Sequence, residues 1–296
     1  MAEIALDAPA KINLYLHVTG RRDDGYHLLD SLVAFADLHD TIEARPADGL
    51  SLELAGPFGD RLRDEADNLV LRAARALAEA AGRRPDAAIR LIKRLPVAGG
   101  IGGGSADAAA VLRLLSRFWD IALPRDKMDL LALTLGADVP VCLAGRAAYI
   151  GGVGEKLDAV PRLPRCHLVL ANPLLPLSTP QVFRAREGEF GQVARFAEAP
   201  ADAAALAGML ESRTNDLTAA AIACLPRIAD GLAALRGTEA CLMARMSGSG
   251  ATCFGLYADA AAARRAASAL RKDLPDWWVA PSRLLDDTTK LEAAAD

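Results

Sequence analysis

The chain has 296 residues, 52% hydrophobic and 24% charged, with 34 Lys and Arg against 38 Asp and Glu for a formal charge of −4. That length supports a substantial core in two domains or one elaborated domain, while the slightly acidic balance lacks the basic footprint of phosphate-backbone binders and argues against nucleic acid as a partner. Charges or polar groups interrupt every apolar run before the roughly 18 residues needed to span a bilayer, and Glu3 and Asp7 stand where a secretory signal carries positive charge, so a cytoplasmic chain without a membrane partner is expected.

The first segment, from Lys11 to Val18, alternates. Ile12, Leu14, Leu16 and Val18 form an apolar face, and Lys11, Asn13, Tyr15 and His17 form a face turned to something polar. A turn punctuated by Gly20 and Gly25 leads to an extended stretch from Tyr26 to Ala36, and TIEAR and LSLEL read as two further short strands. Helical spacing of Leu69, Val70, Ala73, Ala74, Leu77 and Ala81 predicts a helix from about Asn68, capped by Asp67 or Asn68 and stopped at Gly82. AAIRLIKRL reads as a strand, the helix SADAAAVLRLLSRFW opens at Ser105 with Val111, Leu112, Leu115 and Phe118 on one stripe, and another helix runs from about Arg125 to Leu135. Residues 137–140 read as a connection in which Pro140 pushes Val139 out of the helical region, leaving Asp138 just beyond a helix end. The Pro-rich stretch from Pro161 to Pro180 is the best place for a boundary, dividing the chain into 1–160 and 161–296. Beyond it lie a strand (HLVLA), helices from about Ala201 and Asp216, two strands around the glycine turn SGSG, a helix and a last strand near WWVA, without regular βαβ alternation, which points to an α+β fold. The five cysteines are widely spaced, with no C-x-x-C pair and no histidine at ligand spacing. Neither disulfide nor metal site is indicated, and they read as small buried hydrophobes in a reducing compartment.

Chemistry concentrates at one loop. Five of the six residues from Gly99 to Gly104 are glycine, and a helix follows directly, so bare amide N–H groups and the positive end of a helix dipole converge where an anion belongs. Glycine permits positive φ and lets backbone approach a ligand with no Cβ in the way. The P-loop template fails because Gly104 stands where its lysine would precede Ser105, and the dinucleotide fingerprint fails at its third glycine. A loop without its own lysine relies on backbone dipoles, a metal ion or a lysine from elsewhere to offset a triphosphate.

PAKINLYLHV, LPVAGGIGGGSADAAAVL, LGADVPVCL and MSGSGATCFGLY, in this order and spread from Pro9 to Tyr257, resemble the motifs of the GHMP small-molecule kinase superfamily. RRDDGYHLLDSL and the ADVP segment resemble most its branch acting on a cytidine-diphosphate-linked methylerythritol. Around the loop this chain departs from the family pattern at Val97, Ala98, Ile101 and Ala106, and Ala98 puts side-chain bulk at the loop entrance. The resemblance implies a two-domain fold, with an N-terminal domain like ribosomal protein S5 domain 2 and a ferredoxin-like C-terminal domain. It implies ATP as phosphoryl donor, with Mg²⁺, held by Pro96, Val97, Ala98, Gly99, Gly100, Ile101, Gly102, Gly103, Gly104, Ser105 and Ala106, with Asn68 and Leu69 beside the adenine.

Phosphoryl transfer to an alcohol needs a positioned nucleophile, a proton acceptor and positive charge around the moving group. On its own residues Asp138 reads equally well as a helix-terminal aspartate, and Lys11 reads better as a solvated edge-strand lysine. The resemblance assigns Asp138 as general base with Lys11 beside it, and as a pair they explain each other. It also implies that Asn13 hydrogen-bonds the substrate, that Tyr26 and Phe183 stack on the cytosine while His27 bonds its polar edge, and that Thr179 contacts a substrate phosphate. Asn68 and Thr179 equally read as helix caps and Leu69 as core, and Asp107 as a complement to the helix dipole or the one carboxylate near enough for Mg²⁺. The SGSG turn is a hairpin or a second backbone surface facing the substrate. A cytoplasmic monomer or homodimer is expected, with a mevalonate- or homoserine-type kinase or a non-catalytic nucleotide-binding regulator as the rival readings.

Overall fold

A computed structural model describes residues 3–63, 65 and 67–289. Strands β1 (Ile4–Arg21) and β2 (His27–Arg45) form a long antiparallel pair in which Tyr26–Ala36 and TIEAR belong to one strand instead of two. Three register shifts interrupt the pair, between Pro9 and Lys11, Asn13 and Tyr15, and Val18 and Gly20. The second and third displace the register by one residue, which resets the side-chain alternation, so the two-faced reading of β1 fails after Asn13. Tyr15 is fully buried in the same apolar cluster as Leu14, with its hydroxyl donating to Asp30 at 2.7 Å. Lys11 and Asn13 keep the polar assignment.

Strands β3 (Leu50–Ala55) and β4 (Ala87–Ile92) pair in parallel, β4 joins one end of β2, and β5 (Ala148–Gly152) with β6 (Lys156–Ala159) joins the other. The helices α1 (Leu69–Ala80), α2 (Gly103–Phe118), α3 (Arg125–Leu135) and α4 (Val139–Ala144) pack together against this layer. Alanines 73, 74, 106, 108, 109 and 110 fill this core, and their small side chains let α1 and α2 approach closely. Asn68 caps α1 by accepting the Val70 N–H at 2.9 Å, a contact worth about 1 kcal/mol. Two predicted boundaries shift. Helix α2 begins at Gly103, two residues before Ser105, and residues 139–140 are the first turn of α4 instead of a connection. Pro140 has no N–H to lose in a first turn, so it starts a helix there without penalty.

In the second half, β7 (His167–Asn172), β8 (Met243–Met246), β9 (Cys253–Tyr257) and β10 (Trp278–Leu285) form an antiparallel layer, and the end of β10 pairs with β2 through Leu284↔Ala36 and Leu285↔Phe35. The resulting sheet runs β3-β4-β2-β10-β7-β9-β8. Helices α5 (Thr179–Ala185), α6 (Ala203–Glu211), α7 (Thr218–Cys224), α8 (Arg227–Arg236) and α9 (Ala260–Asp273) complete the chain; α5, α8 and β6 were not separated by periodicity. Residues 160–166 carry neither helix nor strand. The five cysteines are free, and burial pushes the thiols of Cys142, Cys166 and Cys253 up to about 12. Among the described residues no helix is long and apolar enough to cross a membrane.

Candidate active site

A cleft of about 1060 Å³ lies where the two halves of the sheet meet, bordered by β1, the glycine loop, α5 and the turn between β8 and β9. Pro96, Val97, Ala98, Gly99, Gly100, Gly102, Gly103, Gly104 and Ser105 line it; Ile101 and Ala106 do not, because both side chains are in the core. Ile101 serves the loop through its backbone, whose carbonyl accepts the Lys11 N–H at 2.9 Å. Gly100 and Gly102 adopt positive φ, and a Cβ on Gly100 would stand 2.4 Å from the Gly250 carbonyl oxygen, so glycine is required at that crossing. Ala98 also has positive φ, +54°, a conformation costing a non-glycine residue about 1–2 kcal/mol. The first turn of α2 leaves main-chain N–H groups without helical partners, so the loop and the helix end together offer amides to an anion.

Lys11 and Asp138 meet in this cleft. The Lys11 ammonium, almost fully buried on β1, is 2.9 Å from Asp138 Oδ2, while the Asp138 side chain is 42% exposed. Asp138 is the N-cap residue of α4 but its side chain makes no capping bond, which leaves the carboxylate to Lys11 and the cleft. Lys11 also donates to Asn13 Oδ1 at 2.8 Å, and Asn13 Nδ2 donates to Ser31 Oγ at 2.8 Å, so Asn13 fixes the direction of the lysine. A carboxylate with an open face beside an immobilised ammonium can accept a proton from a bound hydroxyl while the ammonium offsets the negative charge left on the oxygen.

Other candidates border the same cleft. Asn68 and Leu69, at the start of α1, are on its lining. So are His27 and Phe183, whose rings lie 5.1 Å apart with planes tilted by 31°, Tyr26, which is 65% exposed, and Thr179, whose hydroxyl is 2.7 Å from that of Ser249. Burial, then the Arg21 and Arg186 charges, lower the His27 pKa below its ordinary range. The ring is therefore neutral at pH 7, with one nitrogen able to donate and the other to accept.

Sequence reasoning missed a buried ionic cluster under the loop. Lys93 Nζ is 2.6 Å from Asp40 Oδ2 and 2.6 Å from Asp107 Oδ2, and all three residues are almost fully buried. Asp107 Oδ2 is thus bonded to Lys93, and the residue lies beyond the first turn of α2, which corrects its reading as a dipole complement; Asp107 also borders the cleft. Gly103 shows how close the cluster lies to the loop: a Cβ there would stand 3.1 Å from Lys93 Nζ. The signal was present in the periodicity, since Lys93 continues the inward positions Ala87, Ile89 and Leu91, and Asp107 shares the α2 stripe with Val111 and Leu115. Burial acts to lower the Lys93 pKa, but Asp107 and Asp40 outweigh it and hold it above its ordinary range. Burial pushes the Asp107 carboxyl up to about 7 against the opposing pull of Lys93, with Asp40 adding to the rise, and Asp107 Oδ1 meets no hydrogen-bond partner.

Asp107 therefore keeps its proton to about pH 7 in the folded chain and releases it near 3.8 in the unfolded one, so its contribution to stability declines as pH rises from about 4 to about 7. Replacing it by asparagine removes that slope. In urea titrations from pH 5 to pH 8, Asp107→Asn is expected to gain in midpoint relative to the parent chain as pH rises; a constant difference would contradict the buried, proton-holding carboxyl.

Comparison with known proteins adds the following. Residues 68–146 match the model of the GHMP kinases N terminal domain and residues 197–276 that of the GHMP kinases C terminal domain. The 4-diphosphocytidyl-2-C-methyl-D-erythritol kinase of Paramagnetospirillum magneticum is 56% identical over 96% of this chain and all of its own length; that of Rhodospirillum rubrum is 55% identical over 97% of this chain and 94% of its own. A crystal structure of 4-(cytidine 5'-diphospho)-2C-methyl-D-erythritol kinase superposes with a TM-score of 0.77 at 37% identity, covering 95% of this chain and 99% of that one. The structure of homoserine kinase from Cytophaga hutchinsonii, at 17% identity and TM-score 0.74 over 97% of this chain and 96% of its own, shares the fold.

Proposed function

The chain belongs to the GHMP kinases, and from that premise we propose that it transfers a phosphoryl group from ATP to the 2-hydroxyl of 4-diphosphocytidyl-2-C-methyl-D-erythritol. The products are the 2-phosphate and ADP, and the reaction belongs to the non-mevalonate route to isopentenyl diphosphate. The observation that carries this reading is the buried Lys11 ammonium held 2.9 Å from a half-exposed Asp138 in the cleft that the glycine loop lines.

In this reading the N–H groups of the loop and of the first turn of α2 hold the triphosphate, with Asn68 and Leu69 beside the adenine. Asp138 accepts the proton of the attacking hydroxyl, and Lys11, oriented by Asn13, stabilises the developing charge. His27, Phe183 and Tyr26 receive the cytosine, and the neutral imidazole matches a base edge that both donates and accepts. Thr179 contacts a phosphate of the same substrate. Among the described residues there is no group of three or more His, Cys, Asp or Glu that could hold a metal by themselves. Mg²⁺ keeps several waters and binds through substrate phosphates and one or two protein oxygens, and Ser105 and Asp107 are the hydroxyl and carboxylate residues of the cleft next to the loop that would hold it. When bound, the ion neutralises phosphate charge. We assign residues 1–160 and 161–296 to the two domains; the 160–166 stretch, which has neither helix nor strand, supports that division. The free thiols support a cytoplasmic setting.

Incubation of the chain with ATP and a panel of alcohols, followed by phosphorus NMR, tests the reading. A new phosphomonoester on the cytidine-diphosphate substrate is expected, and phosphorylation of mevalonate or homoserine in its place would overturn it. At the cytidine end, Tyr26→Ala is expected to weaken that substrate by about 1–3 kcal/mol, the value of one base stack, with ATP affinity unchanged. Calorimetry separates the two ligands, and equal weakening of both would make Tyr26 a structural residue.

A further inference from the structure

Asn215 stands outside the cleft, buried, three residues before α7. Its side-chain amide donates to the carbonyls of Met246 and Gly248, each at 2.8 Å, and its Oδ1 accepts the Leu217 N–H at 3.0 Å. The segment that carries it is bound to β1, where the Leu16 N–H donates to Thr214 O and the Asp216 N–H to Leu16 O, both at 2.9 Å. Asn215 therefore joins β1 to the second glycine turn, Ser247–Gly250.

That turn is held against the first glycine loop by backbone. The Ser247 hydroxyl donates to Gly100 O at 3.0 Å and accepts the Asn13 N–H at 3.1 Å, and the Thr252 N–H donates to Gly99 O at 3.0 Å. Gly248 has φ +56°, and a Cβ there would stand 2.7 Å from Gly100 O, so its backbone has little freedom to choose another path. The Gly248–Ser249 peptide is trans, and in a trans peptide C=O and N–H point in opposite directions. Directing the Gly248 carbonyl at Asn215 turns the Ser249 N–H away from Asn215, and Gly248 and Ser249 both border the cleft. Among the described residues neither the Gly248 nor the Ser249 N–H meets a protein acceptor.

The peptide also lies between the two ends of the proposed substrate. Gly248 adjoins Asn13, beside Lys11, and the Ser249 hydroxyl meets that of Thr179 at 2.7 Å on the α5 side, where Phe183 lies. A molecule with its hydroxyl at Lys11 and its base at Phe183 must carry its diphosphate past this point. We propose that Asn215 is a positioning residue that orients the Gly248–Ser249 peptide so that its N–H donates to the substrate diphosphate. The proposal rests on the cytidine-diphosphate reading of the cleft.

Asn215→Asp tests it, because the near-isosteric carboxylate has no N–H for the two carbonyls and sets oxygen against oxygen. The KM for the cytidine-diphosphate substrate is expected to rise about 10- to 100-fold, the scale of one hydrogen bond to a charged group, while the KM for ATP changes by less than about threefold. A merely structural role lowers the active fraction, and so kcat, with both KM values unmoved. That result, or equal rises in both KM values, overturns the proposal. A second measurement uses the parent chain and does not depend on the variant folding: CDP is expected to shift the backbone amide signals of Gly248 and Ser249, and cytidine to leave them in place. Unshifted amides with CDP, or the same shift with cytidine, overturn the proposal. Turnover by the parent chain is measured alongside, so a failure of the substrate reading is seen separately from a failure of the role of Asn215.

Discussion

Asp138→Asn is expected to lower turnover by about 10²–10⁴-fold, the range for loss of a general base, with the affinities for both substrates nearly unchanged. The geometry gives the reason for the separation. Asparagine has the shape of aspartate and can still offer an oxygen to Lys11, whose ammonium keeps its second acceptor, Asn13 Oδ1, at 2.8 Å. It therefore preserves the packing around the lysine and removes only the ability to accept a proton. Because the Asp138 side chain makes no capping bond to α4, the substitution does not loosen that helix. Single-turnover phosphorus NMR with calorimetry of each ligand distinguishes the outcomes; undiminished turnover would defeat the assignment of Asp138 as base.

Lys93→Met is expected to destabilise the chain by about 3–5 kcal/mol, because it leaves the buried Asp40 and Asp107 carboxyls facing each other without their cation. For a chain of this length that corresponds to a fall in Tm of about 5–8 °C. The consequence extends to the cleft. Asp40 lies on β2 and also accepts the main-chain N–H groups of Arg94 and Leu95 at 2.5 and 2.8 Å, Lys93 directly follows β4, and Asp107 lies on α2, so the cluster ties two strands to the helix that presents the glycine loop. Calorimetric melting of Lys93→Met and of Lys93→Met with Asp107→Asn provides the check, the double variant recovering part of the loss because only one buried carboxyl is then left without the cation. A single variant with the parent's Tm would remove the cluster's structural role.

Much of this was legible along the chain. The run of glycines entering an amphipathic helix has the pattern of an anion site, and the inward phase of Lys93 just after β4 and of Asp107 on α2 was already written in the spacing of their apolar neighbours. The α1 cap at Asn68 and the limits of α3 also followed from local signals. Where the reading went astray, nonlocal geometry was responsible. A bulge opposite β2 turned Tyr15 from a polar face into the core, and the packing of α4 made a helix of a segment whose proline suggested a connection.

Taken alone, the amino-acid order determined the α+β class and the family of the chain and marked residues 99–105 as the loop to which a phosphate site is assigned here, because helix and strand periods and the conformational freedom of glycine are properties of neighbouring residues. Only the tertiary structure decided that Lys11 meets Asp138, that His27 lies against Phe183, and that Asn215 holds the turn at Gly248. Each of these pairs joins segments far apart in the chain, and their meeting depends on strand register, on the bulges in β1 and on β10 pairing with both β2 and β7. Such relations are set when distant surfaces pack, and no local period carries them.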